Sequence, residues 1–222
     1  GFPEFVRTHN QDILTALFDD ILYRDIAVRY GVRDVISLKA LLLYLAANLG
    51  NLASANKMAG IVGIKTGKTA LEYLSYFEEA YLIGRMPKFS WSLKAQYVNP
   101  QKIYFIDSAL SQAITVSFAE NAGHFLENVV YWELRRHYQQ LYYFSENNSE
   151  CDFVACEKNA PVRLIQVCLE LHRENETREV EGLREAMRFF KMNTGIIITL
   201  DQTDKIRVDE GWIDVIPAYQ FM

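Results

Sequence analysis

The strongest constraint in this 222-residue chain lies between Leu141 and Leu200, where extended segments give way to a helix and then to another extended segment. Leu141-Tyr142-Tyr143-Phe144, Glu150 to Cys156 and Val162 to Leu169 read as three strands. The last two are joined by Glu157-Lys158-Asn159-Ala160-Pro161, a connection that reads as a five-residue hairpin loop. Asn175 to Phe190 carries Val180, Leu183, Met187 and Phe190 on one helical stripe, and Gly195-Ile196-Ile197-Ile198-Thr199-Leu200 reads as a buried strand. A strand, a crossover helix and another apolar strand form a right-handed unit that sets the two strands parallel. Antiparallel strands continued by a parallel one require a mixed sheet, so the segment is α/β in character and the chain α+β overall. The closing run Trp212 to Pro217 reads as the last strand.

The hairpin also places side chains. If it is symmetric about Asn159, Asp152 stands opposite Gln166, and opposed residues share a sheet face. Cys168, two residues on, shares that face too. The preceding helix, about 122 to 139, buries Phe125, Leu126, Val129, Val130, Trp132 and Leu134. Glu127 falls on the same side as Val130, Tyr131 and Leu134 at i+3, i+4 and i+7. A carboxylate aimed at an interior is costly unless paired or bound to a cation, which makes Glu127 a candidate site residue; the bland alternative is a helix-edge glutamate paired with an arginine.

The N-terminal half reads as helical. Residues 10 to 30 form an amphipathic helix through Ile13, Leu14, Leu17, Ile21 and Leu22, and three more helices follow at about 37 to 48, 54 to 61 and 67 to 81. Ser54 and Thr66 stand where N-caps belong. The short helix, the turn Gly63-Ile64-Lys65-Thr66 and the longer helix have the proportions of a helix-turn-helix. Extended runs at Tyr81-Leu82-Ile83 and Lys102-Ile103-Tyr104-Phe105-Ile106 would complete a winged helix around the basic stretch beginning Gly84-Arg85-Met86-Pro87. The competing reading is a helical bundle with a hairpin used for protein contacts. Gly67-Lys68-Thr69 resembles the end of a phosphate loop, but Val62 stands where its first glycine belongs and no strand precedes it.

Charge supports the same division. The chain carries a net charge of −5, yet Ala53 to Lys102 is locally +4 through Lys57, Lys65, Lys68, Arg85, Lys88, Lys94 and Lys102. A basic segment in an acidic chain is the footprint expected of a nucleic-acid contact, with Lys65, Lys68, Arg85 and Lys88 the candidate duplex-DNA ligands. No apolar run approaches the roughly 18 residues of a membrane span. The three cysteines, Cys151, Cys156 and Cys168, fit neither a disulfide framework nor a paired zinc site, which implies reduced thiols and a cytoplasmic location. The opening Gly1-Phe2-Pro3, with neither Met nor a charged leader, reads as a cut from a longer protein.

Helix, three antiparallel strands, helix, strand resembles the core order of the PD-(D/E)xK nuclease-like fold. In that fold an acid on the first helix, an Asp on the second strand and a Glu-x-Lys on the third hold a divalent metal and its water, because clustered carboxylates suit Mg²⁺ and an ammonium orients the attacking water. Glu127 and Asp152 match this pattern and would be the metal ligands, binding Mg²⁺ or Mn²⁺ weakly if at all. The third strand reads Gln166-Val167-Cys168, a neutral amide and a thiol in place of the acid and the amine.

The phrases Gly1-Phe2-Pro3-Glu4, Leu126-Glu127-Asn128, Glu150-Cys151-Asp152-Phe153-Val154, Ile165-Gln166-Val167 and Arg178-Glu179 with Gly182-Leu183 resemble the C-terminal half of a widespread family of prokaryotic AAA-superfamily ATPases. That resemblance implies an ATP- and Mg²⁺-binding domain upstream, a helical linker over 1–33, a winged helix over 34–110 and a nuclease-like domain over 111–222. The expected function is a DNA-binding or regulatory arm with a degenerate nuclease-like domain, needing no cofactor of its own and partnered by the upstream ATPase domain and by further copies. The alternatives are an active metal-dependent nuclease that uses Gln166 as a carbonyl ligand, and a protein-interaction module.

Overall fold

The computed structural model describes residues 2–115, 122–147 and 149–222, and its described residues form a mixed α+β chain of two compact units. Residues 1–85 and 100–121 make the first unit, and 86–99 with 122–222 the second. The stretch 34–110, expected as one domain, is therefore interrupted by fourteen residues that belong with the second unit. Among the described residues no helix is long and apolar enough to cross a membrane.

The first unit opens with α1 (Pro3–Thr8) and α2 (Gln11–Asp20), the latter capped by the Asn10 side chain, which accepts from the Asp12 N–H at 3.0 Å. The single helix expected over 10–30 changes register halfway. From Ile21 to Val28 it is π-helical, and Leu14, Phe18, Leu22, Ile26 and Ala27 remain its buried side. Then come α3 (Val35–Ala47), the two-residue strand β1 (Leu52–Ala53), α4 (Ala55–Val62) and α5 (Gly67–Glu79). Ser54 and Thr66 cap the last two as expected, accepting from the N–H groups of Lys57 and Thr69, and left-handed Gly63 (φ 75°) ends α4. Strands β2 (Ile83–Met86) and β3 (Gln101–Phe105) join β1 in the order β1-β3-β2, and α7 (Ser108–Ile114) packs on α2 and α3. The extended run expected from Tyr81 begins only at Ile83, because Tyr81 adopts a left-handed φ of 56°.

The second unit begins with the arm 86–99, which carries α6 (Leu93–Val98), and continues with α8 (Ala122–His137) and a six-stranded sheet. Its strands are β4 (Gln140–Glu146), β5 (Ser149–Glu157), β6 (Ala160–Val167), β7 (Thr194–Thr199), β8 (Asp204–Val208) and β9 (Gly211–Pro217). Their order is β4-β5-β6-β7-β9-β8. The first three are antiparallel, β6, β7 and β9 run parallel, and β8 returns antiparallel beside β9, so the mixed sheet expected from the crossover is present. The crossover helix α9 (Glu176–Phe190) lies over β5, β6 and β7, with Leu183, Ala186 and Met187 fully buried against Val154, Leu164 and Ile197. The short α10 (Ala218–Phe221) closes the chain.

The β5–β6 connection is tighter than the five-residue loop expected. Lys158 and Asn159, with φ of 50° and 66°, form a two-residue turn of the type I′ kind, whose twist matches the flanking strands. A bulge then skips Val162, since Ala155 pairs with Arg163 but Cys156 with Pro161. Beyond the bulge the pairing is again symmetric about Asn159, with Phe153 opposite Ile165.

Two features hold α9 in place. At Gly182 an added Cβ would come 2.1 Å from the Glu150 carbonyl oxygen, so helix and strand touch backbone to backbone. Farther along, Arg184 donates to Glu210 at 2.8 Å and Arg188 donates to the same carboxylate at 2.7 Å, tying the helix to the β8–β9 turn. Hydrogen bonds from these two guanidinium groups hold the Glu210 carboxyl down at about 2.

Two outcomes follow. Gly182→Ala should cost about 1–3 kcal/mol in chemical denaturation, since the methyl group meets backbone rather than a flexible side chain. Glu210 has a depressed folded-state pKa, so its contribution is present above the ordinary carboxylate range and is lost as pH falls through that range toward about 2. The melting-temperature gap between the parent and Glu210→Gln should therefore be wide at pH 7 and close as pH drops to about 2; a gap independent of pH would assign the network no electrostatic role.

Candidate functional site

The β5–β6 register, carried one residue past Phe153–Ile165, sets Asp152 opposite Gln166 on the face that α9 covers. Each side chain accepts from a backbone amide of the opposite strand. The Asp152 N–H donates to Gln166 Oε1 at 3.1 Å, and the Val167 N–H donates to Asp152 Oδ2 at 3.0 Å. Gln166 Nε2 in turn donates to Glu179 Oε2 at 2.8 Å. Glu179 sits on the first turn of α9 and is 3 % exposed. Its other oxygen accepts from Arg178 Nε at 3.1 Å, and Arg178 reaches outward into solvent. The result is a buried polar chain, Asp152–Gln166–Glu179, with a guanidinium at its mouth.

Cys168 belongs to the same cluster. Burial, then the negative charges of Glu179 and Asp152, push its thiol up to about 12, so it stays protonated at neutral pH and is a poor nucleophile. The charges of Glu179 and Asp152 also raise Arg178, with the hydrogen bonds to Glu179 the largest cause.

Glu127 is buried on α8, with Val130, Tyr131 and Leu134 buried on the same stripe. Its carboxylate lies 3.5 Å from Nδ1 of His124, one turn earlier, and α8 packs against β6. Among the described residues no three His, Cys, Asp or Glu side chains are grouped so as to hold a metal ion. Two of the oxygens at hand accept from backbone amides, Gln166 Oε1 from that of Asp152 and Asp152 Oδ2 from that of Val167.

Glu179 and Arg178 are the members that sequence reasoning passed over as site residues. The signal was there: Glu179 precedes Leu183, Ala186 and Met187 by four, seven and eight positions, which puts it on their helix face much as i+3, i+4 and i+7 put Glu127 on its own.

The four basic candidates divide. Lys65, in the α4–α5 turn, and Lys68, on the first turn of α5, are exposed. The charge of Lys65 also reaches Asp34, whose carboxyl is lowered first by hydrogen bonds from Ser37. Arg85 is tied to Glu78 at 2.8 Å within the first unit. Lys88 lies 3.9 Å from Glu146 within the second. Lys102, counted in the basic window, is buried on β3.

These features define a two-unit α+β protein, a mainly helical unit with a three-stranded sheet and a mixed-sheet unit with a buried polar chain. The chain belongs to the family described as domain of unknown function DUF8612, which matches residues 1–121, and residues 122–221 match domain of unknown function DUF4143. It is 33 % identical over 239 residues to an uncharacterised protein of Methanocaldococcus jannaschii, covering all of this chain and 53 % of that one. An uncharacterised protein of Haemophilus influenzae is 27 % identical over 216 residues, covering 94 % of this chain and 52 % of that protein. The chain thus spans about half the length of the curated relatives it matches. No solved structure matches it.

The polar chain yields a test. Gln166→Glu removes the donor to Glu179 and sets two carboxylates against each other in a buried place, which should cost about 2 kcal/mol or more at pH 7. Like charge raises one of the two folded-state pKa values, so the loss is greatest at high pH and eases as pH falls through that raised value. Melting curves between pH 4 and 8 would show this; a variant as stable as the parent throughout would mean that the Gln166–Glu179 bond contributes nothing.

Proposed function

We propose that this chain is a DNA-binding or regulatory arm of a longer AAA-superfamily ATPase, with a winged helix in its first unit and a degenerate PD-(D/E)xK nuclease-like domain in its second. The observation that carries the reading is the placement of Lys65 and Lys68, both exposed, in the turn and on the first turn of the second helix of the α4–α5 pair. In helix-turn-helix proteins the start of the second helix is the part that enters the major groove, where backbone amides and lysines meet phosphates. The short β1 pairing with β3, and β3 with β2, supplies the small sheet that such a domain carries beside its helices.

The degenerate reading of the second unit is supported by the way Gln166 is used. A metal ligand at 166 would turn its oxygen toward a cation, and here Gln166 Oε1 accepts from the Asp152 amide while its Nε2 donates to Glu179. Arg85 and Lys88 weigh less as DNA ligands than Lys65 and Lys68, because each faces a carboxylate within its own unit. The link to an ATPase rests on the sequence resemblance and on the relatives being about twice as long.

The experiment is fluorescence anisotropy with a labelled duplex at several salt concentrations. Affinity should fall as salt rises, and Lys65→Glu with Lys68→Glu should weaken binding about tenfold and lower the salt slope by about 1–2, since each lysine–phosphate pair accounts for about one counterion released. Binding that ignores salt, or that the double variant retains, would remove the helix-turn-helix from the interface. Cleavage of plasmid in Mn²⁺ that Asp152→Ala abolishes would instead restore the nuclease.

A further inference from the structure

Two departures from regular structure and an aromatic stack meet at one open cleft of about 340 Å³ in the first unit, lined by Arg24, Asp25, Arg29, Tyr30, Glu79 and Tyr81. The first is the π-helical stretch Ile21–Val28, whose i→i+5 hydrogen bonding appears mostly as short insertions and often at functional sites. It has a geometric effect here. At the α-helical 100° per residue, Arg24 and Arg29 would stand about 140° apart around the axis. The wider turn brings residues five apart nearer to one line, and both arginines line the cleft.

The second is Tyr81. Helix α5 ends with the Leu82 N–H donating to the Phe77 carbonyl and the Tyr81 N–H donating to that of Glu78, the paired bonds of a Schellman motif. The left-handed residue of that motif is most often glycine, yet here it is a tyrosine at φ 56° that is 79 % exposed. A bulky residue held there is strained, and nothing in the cap requires a ring. The third is the aromatic wall. Tyr30 stacks on Tyr76 with centroids 4.0 Å apart and planes 8° from parallel, and Arg29 lies over Tyr30 at 5.6 Å. Tyr30 also donates to Glu79 at 2.6 Å, which fixes its ring.

We propose that this cleft binds a nucleoside phosphate. Arg24 and Arg29 match the phosphate oxygens, and the exposed Tyr81 ring offers a stacking face for the base. The carboxylates of Asp25 and Glu79 accept from ribose hydroxyls or an exocyclic amine. The Arg24–Asp20 contact at 3.5 Å joins two exposed groups, so releasing Arg24 costs little. The ligand is either a free nucleotide or the phosphorylated end of a single strand, which share this chemistry. The inference does not rest on the duplex-binding reading.

The test is calorimetric titration of the 222-residue chain with ADP, adenosine and inorganic phosphate, alongside a 5′-phosphorylated single-stranded oligonucleotide titrated into the Lys65→Glu, Lys68→Glu double variant. Saturable binding is expected for ADP, the oligonucleotide or both, and this tells the two sources apart. Binding should weaken about tenfold in Arg29→Glu, as removal of one charge-assisted hydrogen bond implies, and about threefold or more in Tyr81→Gly. Tyr81→Gly should melt no lower than the parent, because glycine relieves the left-handed strain, so its weaker binding would not reflect unfolding. The inference is overturned if neither ADP nor the oligonucleotide saturates, if adenosine binds as tightly as ADP, or if both variants bind as the parent does.

Discussion

Everything in the second unit depends on how closely α9 can approach β5. The Gly182 backbone meets the Glu150 carbonyl where a methyl group would not fit. That approach lowers the first turn of the helix onto the strands, so that Glu179, three residues earlier, reaches the side chain of Gln166. A buried carboxylate is costly unless its oxygens are hydrogen-bonded, and Glu179 is served from both sides, by an amide from the sheet and a guanidinium from solvent. Leu183 and Met187 continue the same helix face into the apolar core. Polar chain and hydrophobic core are therefore two ends of one helix face, and a change at Gly182 would disturb both.

Much of this was legible in the sequence, and the exceptions have local causes. The opposition of Asp152 and Gln166 follows from symmetry about Asn159 although the loop was read too long, because the two-residue turn shifts the register and the bulge at Val162 shifts it back. The periods that mark α3, α4, α5, α8 and α9 locate those helices within a few residues. Strand β8 and helices α6 and α7 carry weaker signals: β8 alternates Asp204, Lys205 and Arg207 with only Ile206 and Val208, and α6 is one short turn whose Leu93, Tyr97 and Val98 face solvent. The π-helical stretch was invisible, because its buried residues at Leu22, Ile26 and Ala27 keep a pattern that an α-helix also produces. Glu179 was missed for another reason. Attention to the apolar stripe of α9 passed over the one acid that shares it.

The two edges of the large sheet are closed by different means. Beside β4 the arm supplies backbone bonds, Phe89 N–H to the Tyr143 carbonyl at 2.7 Å and Tyr143 N–H to the Pro87 carbonyl at 3.2 Å. Phe89 then packs edge-on against Phe190 at 4.7 Å and Tyr142 at 5.5 Å, which explains why residues 86–99 belong with this unit. At the other edge β8 places Lys205 and Arg207 over the Trp212 ring, at 5.4 and 4.8 Å. Charged side chains there discourage a further strand from pairing, whereas the arm blocks pairing outright. The basic residue Lys88 is consequently part of a structural seam beside Glu146.

The same logic bears on the polar chain. A site that binds a cation keeps its oxygens aimed at a common point and tolerates their mutual repulsion until the cation arrives. Here Gln166 stands between Asp152 and Glu179, with a donor for the carboxylate of one and an acceptor for the amide of the other. A glutamate at 166 would lack that donor and would need a cation or a proton to take its place. The amide at this position therefore joins strand to helix, and the cysteine at 168, protonated and buried, adds no charge beside it. Gln166 thus holds the helix to the sheet with a neutral group placed between two acids.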